Sequence, residues 1–128
     1  MTKQRIMFVD DDVSILAGLR GVLRRERDRW DMVFAAGADA ALAELEQGPF
    51  DVVVSDMRMP GIDGAELLER VQRRSPATIR IMLSGSVDPL AITRASFAVD
   101  ELLGKPCDAR TLRETIDRLL NLRTASLS

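Results

Sequence analysis

Short apolar, β-branched runs alternate with amphipathic stretches from one end of this chain to the other, and that alternation restricts the fold more than any other feature. Arg5 to Val9 reads as a strand. Ser14 to Arg25 reads as a helix, with Ile15, Leu16, Leu19, Val22 and Leu23 on one face. Trp30 to Ala36 is a second strand, and Asp39 to Gln47 an alanine-rich helix that Gly48-Pro49 closes. Asp51 to Ser55, DVVVS, is apolar without alternation, as expected of a central parallel strand covered on both faces. Asp63, with Glu66 three residues on, makes a capping box for a helix through Arg74. Thr78 to Leu83 is a fourth strand, and Asp88-Pro89 opens a helix to about Phe97. Glu101 to Leu103 is a short fifth strand, and Asp108 caps a last helix to about Leu122, leaving a frayed tail over 124–128. The pattern is a (βα)5 chain of the α/β class, a parallel sheet with helices on both faces. At 128 residues it forms one domain, over residues 1–123.

In such a sheet the C-terminal ends of the strands share one edge, where ligands bind. The first strand delivers Asp10, Asp11 and Asp12 to that rim, the third Asp56, the fourth Ser84 and the fifth Lys105. Two carboxylates about 4 Å apart repel by roughly 4 kcal/mol at an effective dielectric near 20, so the acids need a counter-charge. Hard oxygen ligands without histidine or thiolate suit Mg²⁺, or Mn²⁺ in its place. Asp12 is left over to cap the first helix. Carboxylates beside a hydroxyl and an ammonium also fit phosphoryl chemistry. A carboxylate can be the nucleophile, forming an aspartyl phosphate. The metal and Lys105 then neutralise phosphoryl oxygens while Ser84 donates a hydrogen bond. Taken singly, these residues read as a helix cap, a loop acid, a strand-end hydroxyl and a solvated charge. Four such coincidences at four strand ends are improbable.

Composition removes several function classes. The chain has no histidine and one cysteine, Cys107, so an internal disulfide, a Cys-His pair, a His-based triad and a His-ligated metal are excluded. Cys107 reads as a small hydrophobe, and Trp30 and Phe50 as core edges. Net charge of −2 and a pI near 5.2 argue against nucleic-acid binding by this domain. The arginine-rich stretch Arg20 to Arg29, balanced by Glu26 and Asp28, reads as a solvated helix face. No apolar run is long enough to span a bilayer, and Met1 to Arg5 opens directly into a strand without a signal peptide. The expectation is a cytoplasmic domain without membrane contact.

The motifs VDDD, SDMRMPGIDG, LSG and GKP, over roughly residues 5–122, resemble the receiver domain of bacterial two-component response regulators. The resemblance implies a flavodoxin-like strand order, 2-1-3-4-5. It implies that Asp56 is the phosphoacceptor, served by a phosphohistidine on a sensor histidine kinase or a histidine phosphotransferase. Asp10, Asp11, Asp56 and the backbone carbonyl of Arg58 would hold Mg²⁺, and Ser84 and Lys105 would contact the phosphoryl group. The Lys105–Pro106 peptide would be cis, and Arg58 and Ser86 would tune the lifetime of the phosphoryl group. Catalysis would be limited to self-phosphorylation and hydrolysis of the product. One position departs from the pattern: the usually aromatic switch residue is Leu102. Either Leu102 simply packs, or output uses a leucine rotamer change or another part of the helix 4–strand 5–helix 5 surface, through which a homodimer is also expected. SDMRMPGIDGAELL with GKPCDARTL is similar to receivers that precede HD-type or HDOD output domains, and 124–128 would then begin a linker. Two rivals remain. Asp10-x-Asp12-Val13, Ser84 and Lys105 imitate a haloacid-dehalogenase-type phosphatase with Asp10 as nucleophile, though its further acidic pair is lacking. The other rival is an interaction module that is never phosphorylated.

Overall fold

The computed structural model describes residues 3–85 and 89–127; Ser86 and the expected cap Asp88 lie outside them. The strands are β1 (Gln4–Asp10), β2 (Trp30–Ala36), β3 (Val52–Asp56), β4 (Ile79–Ser84) and β5 (Glu101–Gly104). The helices are α1 (Val13–Val22), α2 (Ala38–Gln47), α3 (Gly64–Arg74), α4 (Pro89–Ser96) and α5 (Ala109–Leu127). All strand pairings are parallel, in the order β2-β1-β3-β4-β5. Alternate side chains along each strand enter opposite layers. Met7, Val53 and Met82 pack with Leu67 and Leu68 of α3 on one face, whereas Phe8, Val54 and Ile81 pack with Leu112 and Ile116 of α5 on the other. β3 is buried along its whole length, as its unbroken apolar pattern requires. No helix among the described residues is long and apolar enough to cross a membrane.

Side-chain caps start three of the helices. Asp12 accepts from the Ser14 amide at 2.9 Å, Asp63 from the Glu66 amide at 2.9 Å and Asp108 from the Thr111 amide at 2.7 Å.

Two boundaries differ from the expectation. The first helix stops at Val22 instead of Arg25, and Arg24–Asp28 tighten into a 3-10 helix. Within α1, Leu16 is buried, but Ile15 and Val22 are 40% and 57% exposed. These two are seven residues apart, on the flank of the apolar stripe that turns away from the sheet. The last helix does not end at Leu122 with a frayed tail but continues to Leu127. No glycine or proline interrupts it, and the Thr124 hydroxyl folds back to donate to the Leu120 carbonyl at 3.1 Å.

One buried cation is short of hydrogen-bond partners. Arg80, on β4, is 8% exposed, and its Nε and Nη1 have no hydrogen-bond partner among the described residues. Its Nη2 lies 3.7 Å from Asp100, a carboxylate that also accepts from the Arg80 backbone amide at 2.8 Å. Replacing such a cation by an apolar side chain of similar length often stabilises a fold. Arg80→Met leaves Asp100 solvated and still bonded to the backbone, so it should stabilise by about 1 kcal/mol and raise Tm by a few degrees. Thermal unfolding decides: a comparable fall in Tm would show that the guanidinium is satisfied where it lies.

Candidate metal and phosphoacceptor site

Strand register assembles the site. Val9 pairs with Ser55 across β1 and β3, so Asp10 and Asp56 leave adjacent strands side by side. Asp56 pairs with Leu83, and Ser84 with Gly104. Backbone bonding continues beyond the strand ends, from Met57 N to Leu83 O at 3.0 Å and from Lys105 N to Ser84 O at 2.9 Å. Those bonds hold Met57, next to Asp56, and Lys105 to the same rim.

Asp10, Asp56 and Ser84 are buried, Lys105 is half-buried, and Asp11 is exposed. One carboxylate oxygen from each of Asp10, Asp11 and Asp56 lies within 4.8 Å of the others. Lys105 Nζ sits 2.6 Å from Asp56 Oδ1 and 3.7 Å from Asp10 Oδ2. The other oxygen of Asp10 accepts from the Asp12 amide at 2.9 Å.

Burial pushes the Asp10 carboxyl above its ordinary value; the Asp12 amide opposes this, and the neighbouring Asp56 charge adds to it. The folded state therefore holds that proton more tightly than the unfolded chain. Stability falls as pH rises from 3.8 through the raised value, and the cost persists at neutral pH unless a cation offsets it. For Lys105, burial alone would lower the pKa, but hydrogen bonding and charge from Asp56, then Asp10, more than compensate and raise it. Its contribution is complete below 10.5 and is lost as pH rises through the raised value. Three carboxylates facing one ammonium leave an excess of negative charge on hard oxygen ligands, and an exposed member keeps the cluster open to water. That donor set fits Mg²⁺, which retains several waters when bound.

The remaining expected residues surround this cluster. The Ser84 hydroxyl contacts Met57 Sδ at 3.2 Å. Arg58 is exposed on the loop after β3, between buried Met57 and Met59. Leu102 is half-buried, opposite Met82 in the register, against the cluster that faces α3. The Lys105–Pro106 peptide is cis. Sequence reasoning missed two contributors, Met57 and Arg94, whereas Gly64 reads in the sequence as permitting a tight helix start, which it does. Met57 reads as an ordinary apolar residue, yet it touches the Ser84 hydroxyl. Gly64 donates from its amide to the Met57 carbonyl at 2.9 Å, with no room for a side chain. Arg94 of α4 pairs with Asp63, the α3 cap, at 2.9 Å, a contact between residues 31 apart that no local pattern signals.

Residues 6–117 match the model of the response regulator receiver domain. The chain is 34% identical to the response regulator protein PilR of Pseudomonas aeruginosa over 125 residues, covering 96% of this chain and 27% of PilR. It is 34% identical to the transcriptional regulatory protein FixJ of Bradyrhizobium diazoefficiens over 117 residues, 91% of this chain and 56% of FixJ. The chain thus spans well under two thirds of these relatives. A CheY-like receiver domain protein from Methanospirillum hungatei has a TM-score of 0.89 at 28% identity, covering 98% of this chain and 99% of its own. The signal receiver domain of an HD domain-containing protein from Pseudomonas fluorescens gives 0.89 at 29%, with coverages of 97% and 99%. The response regulator TrrA of Thermotoga maritima, in complex with Mg²⁺ and beryllofluoride, gives 0.79 at 28%, with coverages of 91% and 98%. The chain belongs to the family of response regulator receiver domains, phosphorylation-activated signalling switches.

Proposed function

We propose that Asp56 is the phosphoacceptor of this switch, and the observation that carries the assignment is the 2.6 Å contact between Lys105 and Asp56 beside two further acids. A carboxylate oxygen of Asp56 attacks the phosphorus of a phosphohistidine on a sensor histidine kinase or a histidine phosphotransferase. The new P–O bond forms as the P–N bond breaks, and the electron pair leaves with the imidazole. Lys105 orients the nucleophile and then offsets charge on the phosphoryl oxygens. Asp10, Asp11, Asp56 and the Arg58 carbonyl would hold Mg²⁺, or Mn²⁺, which supplies charge neutralisation when bound. TrrA, similar in fold and sequence, is a relative whose structure holds Mg²⁺ with beryllofluoride. Water later hydrolyses the acyl phosphate and regenerates Asp56, with Arg58 and Ser86 setting the lifetime. The chain's own catalysis ends there.

The phosphoryl group adds charge and acceptor oxygens at one rim and shifts the balance between two existing states. In this reading the Ser84 hydroxyl turns from Met57 toward the phosphoryl group, and Leu102 repacks. Both changes reach the α4–β5–α5 surface, where Leu90 and Phe97 are 81% and 79% exposed; we place a homodimer contact there. In this reading an HD-type or HDOD output follows, with residues 124–128 leading toward it, and the receiver from the HD domain-containing protein supports the HD-type alternative.

Titration with beryllofluoride and Mg²⁺, followed by amide NMR, tests the reading. Saturable, Mg²⁺-dependent shifts are expected at residues 10–12, 56–58, 84–85 and 105. No response at saturating reagent would instead favour an interaction module that is never phosphorylated.

A further inference from the structure

We propose that the groove between α1 and β2, remote from the acid cluster, is a docking site for an acidic segment of a partner protein that carries apolar anchor side chains. The groove has a volume of about 550 Å³. Its floor is apolar: Trp30, Met32 and Phe34 reach it from β2, while Ala17 and Gly21 form a low wall on α1. Its rim is cationic, with Lys3, Arg20, Arg24 and Arg27 all exposed along it. None of these four makes an ion pair among the described residues, although most other arginines near acids do. The Arg20 guanidinium lies over the Phe34 ring at 4.8 Å, so it covers apolar floor while keeping its hydrogen bonding free. The single acid of the groove, Asp31, faces Arg5 at 3.6 Å and so leaves the rim strongly positive.

The 3-10 turn creates this arrangement. Had α1 continued through Arg25, these arginines would have spread around a helix in solvent; the tighter Arg24–Asp28 turn gathers Arg24 and Arg27 at one end of the groove. Four uncompensated cations in a chain of net charge −2 concentrate a local positive field. Charge complementarity selects an acidic occupant, and the apolar floor selects side chains over a phosphate backbone. β2 is the edge strand of the sheet, so its outer side is available to an approaching chain.

The experiment uses a short synthetic peptide of Glu and Leu, with a Gln/Leu peptide of equal length as the charge control. Trp30, the only tryptophan, reports from the floor by fluorescence, and amide NMR maps the contact. The Glu/Leu peptide should bind saturably with shifts at residues 17–34, weaken as salt is raised, and exceed the Gln/Leu peptide. The double variant Arg24→Glu/Arg27→Glu should bind about tenfold or more weakly, the scale expected when rim charges are reversed, while keeping its Mg²⁺–beryllofluoride response. That retained response shows an intact fold and separates this site from the phosphoacceptor. Absence of saturable binding, or shifts centred elsewhere, overturns the proposal. So does tighter binding in the same groove by single-stranded DNA or by phosphatidylserine vesicles.

Discussion

Asp56→Asn loses labelling by a small phosphodonor such as acetyl phosphate, down to background, while the domain stays folded. The substitution keeps the size and shape of the side chain and removes only the nucleophilic charge. Its local consequences nearly cancel. The ion pair to Lys105 at 2.6 Å is lost, but so is the repulsion from Asp10 and Asp11, and Lys105 keeps Asp10 at 3.7 Å. Thermal stability should therefore change by less than about 1 kcal/mol, whereas a missing nucleophile eliminates the covalent product. Intact-mass measurement gives the phosphorylated fraction, and borohydride reduction of the acyl phosphate locates it. Labelling that persists in the variant and maps to Asp10 would transfer the nucleophile to the first strand, as in the haloacid-dehalogenase pattern. Labelling that persists elsewhere would equally remove Asp56 from the role.

The sheet was legible because each strand's covering leaves a mark in the sequence. DVVVS lies under helices on both faces and lacks polar alternation, whereas edge strand β2 mixes Asp31 among apolar residues. Caps were legible because an Asp side chain must reach an amide two or three residues on, a purely local requirement met at Asp12, Asp63 and Asp108. The rim was legible for a topological reason: parallel strands send their C-terminal residues to one edge, so residue type and position in the pattern suffice to group Asp10, Asp56, Ser84 and Lys105. Contacts set by how helices sit on the sheet were not. The apolar stripe of α1 is wider than the surface it covers, so the sequence could not tell buried Leu16 from exposed Ile15. The Arg94–Asp63 pair and the basic groove both depend on the relative placement of distant segments. The arginines that read as a solvated face are exposed, but three of them, Arg20, Arg24 and Arg27, line one groove with a shared floor.

Gly64→Ala should be among the most damaging single substitutions in the chain, costing on the order of 3 kcal/mol and lowering Tm by roughly 10 °C. A Cβ at this position would lie 2.1 Å from the Asp56 carbonyl oxygen and 3.0 Å from both Asp56 C and Met57 Cα. All three are backbone atoms, so no side chain can rotate away. The Gly64 amide bonds to the Met57 carbonyl at 2.9 Å, which draws the start of α3 onto the chain leaving β3. Helix propensity alone would favour alanine by about 1 kcal/mol, so the contact must outweigh a gain as well as produce a loss. Relief requires moving α3 outward or displacing Asp56 from Lys105. The second route predicts weakened Mg²⁺–beryllofluoride binding in whatever fraction remains folded. Gly18→Ala supplies the control, since that glycine lies within α1 and a Cβ there meets nothing within 4 Å. It should be neutral or stabilising by up to about 1 kcal/mol. If Gly64→Ala instead melts with the parent and binds beryllofluoride normally, the close packing of α3 on the phosphoacceptor loop is not a feature of the protein in solution.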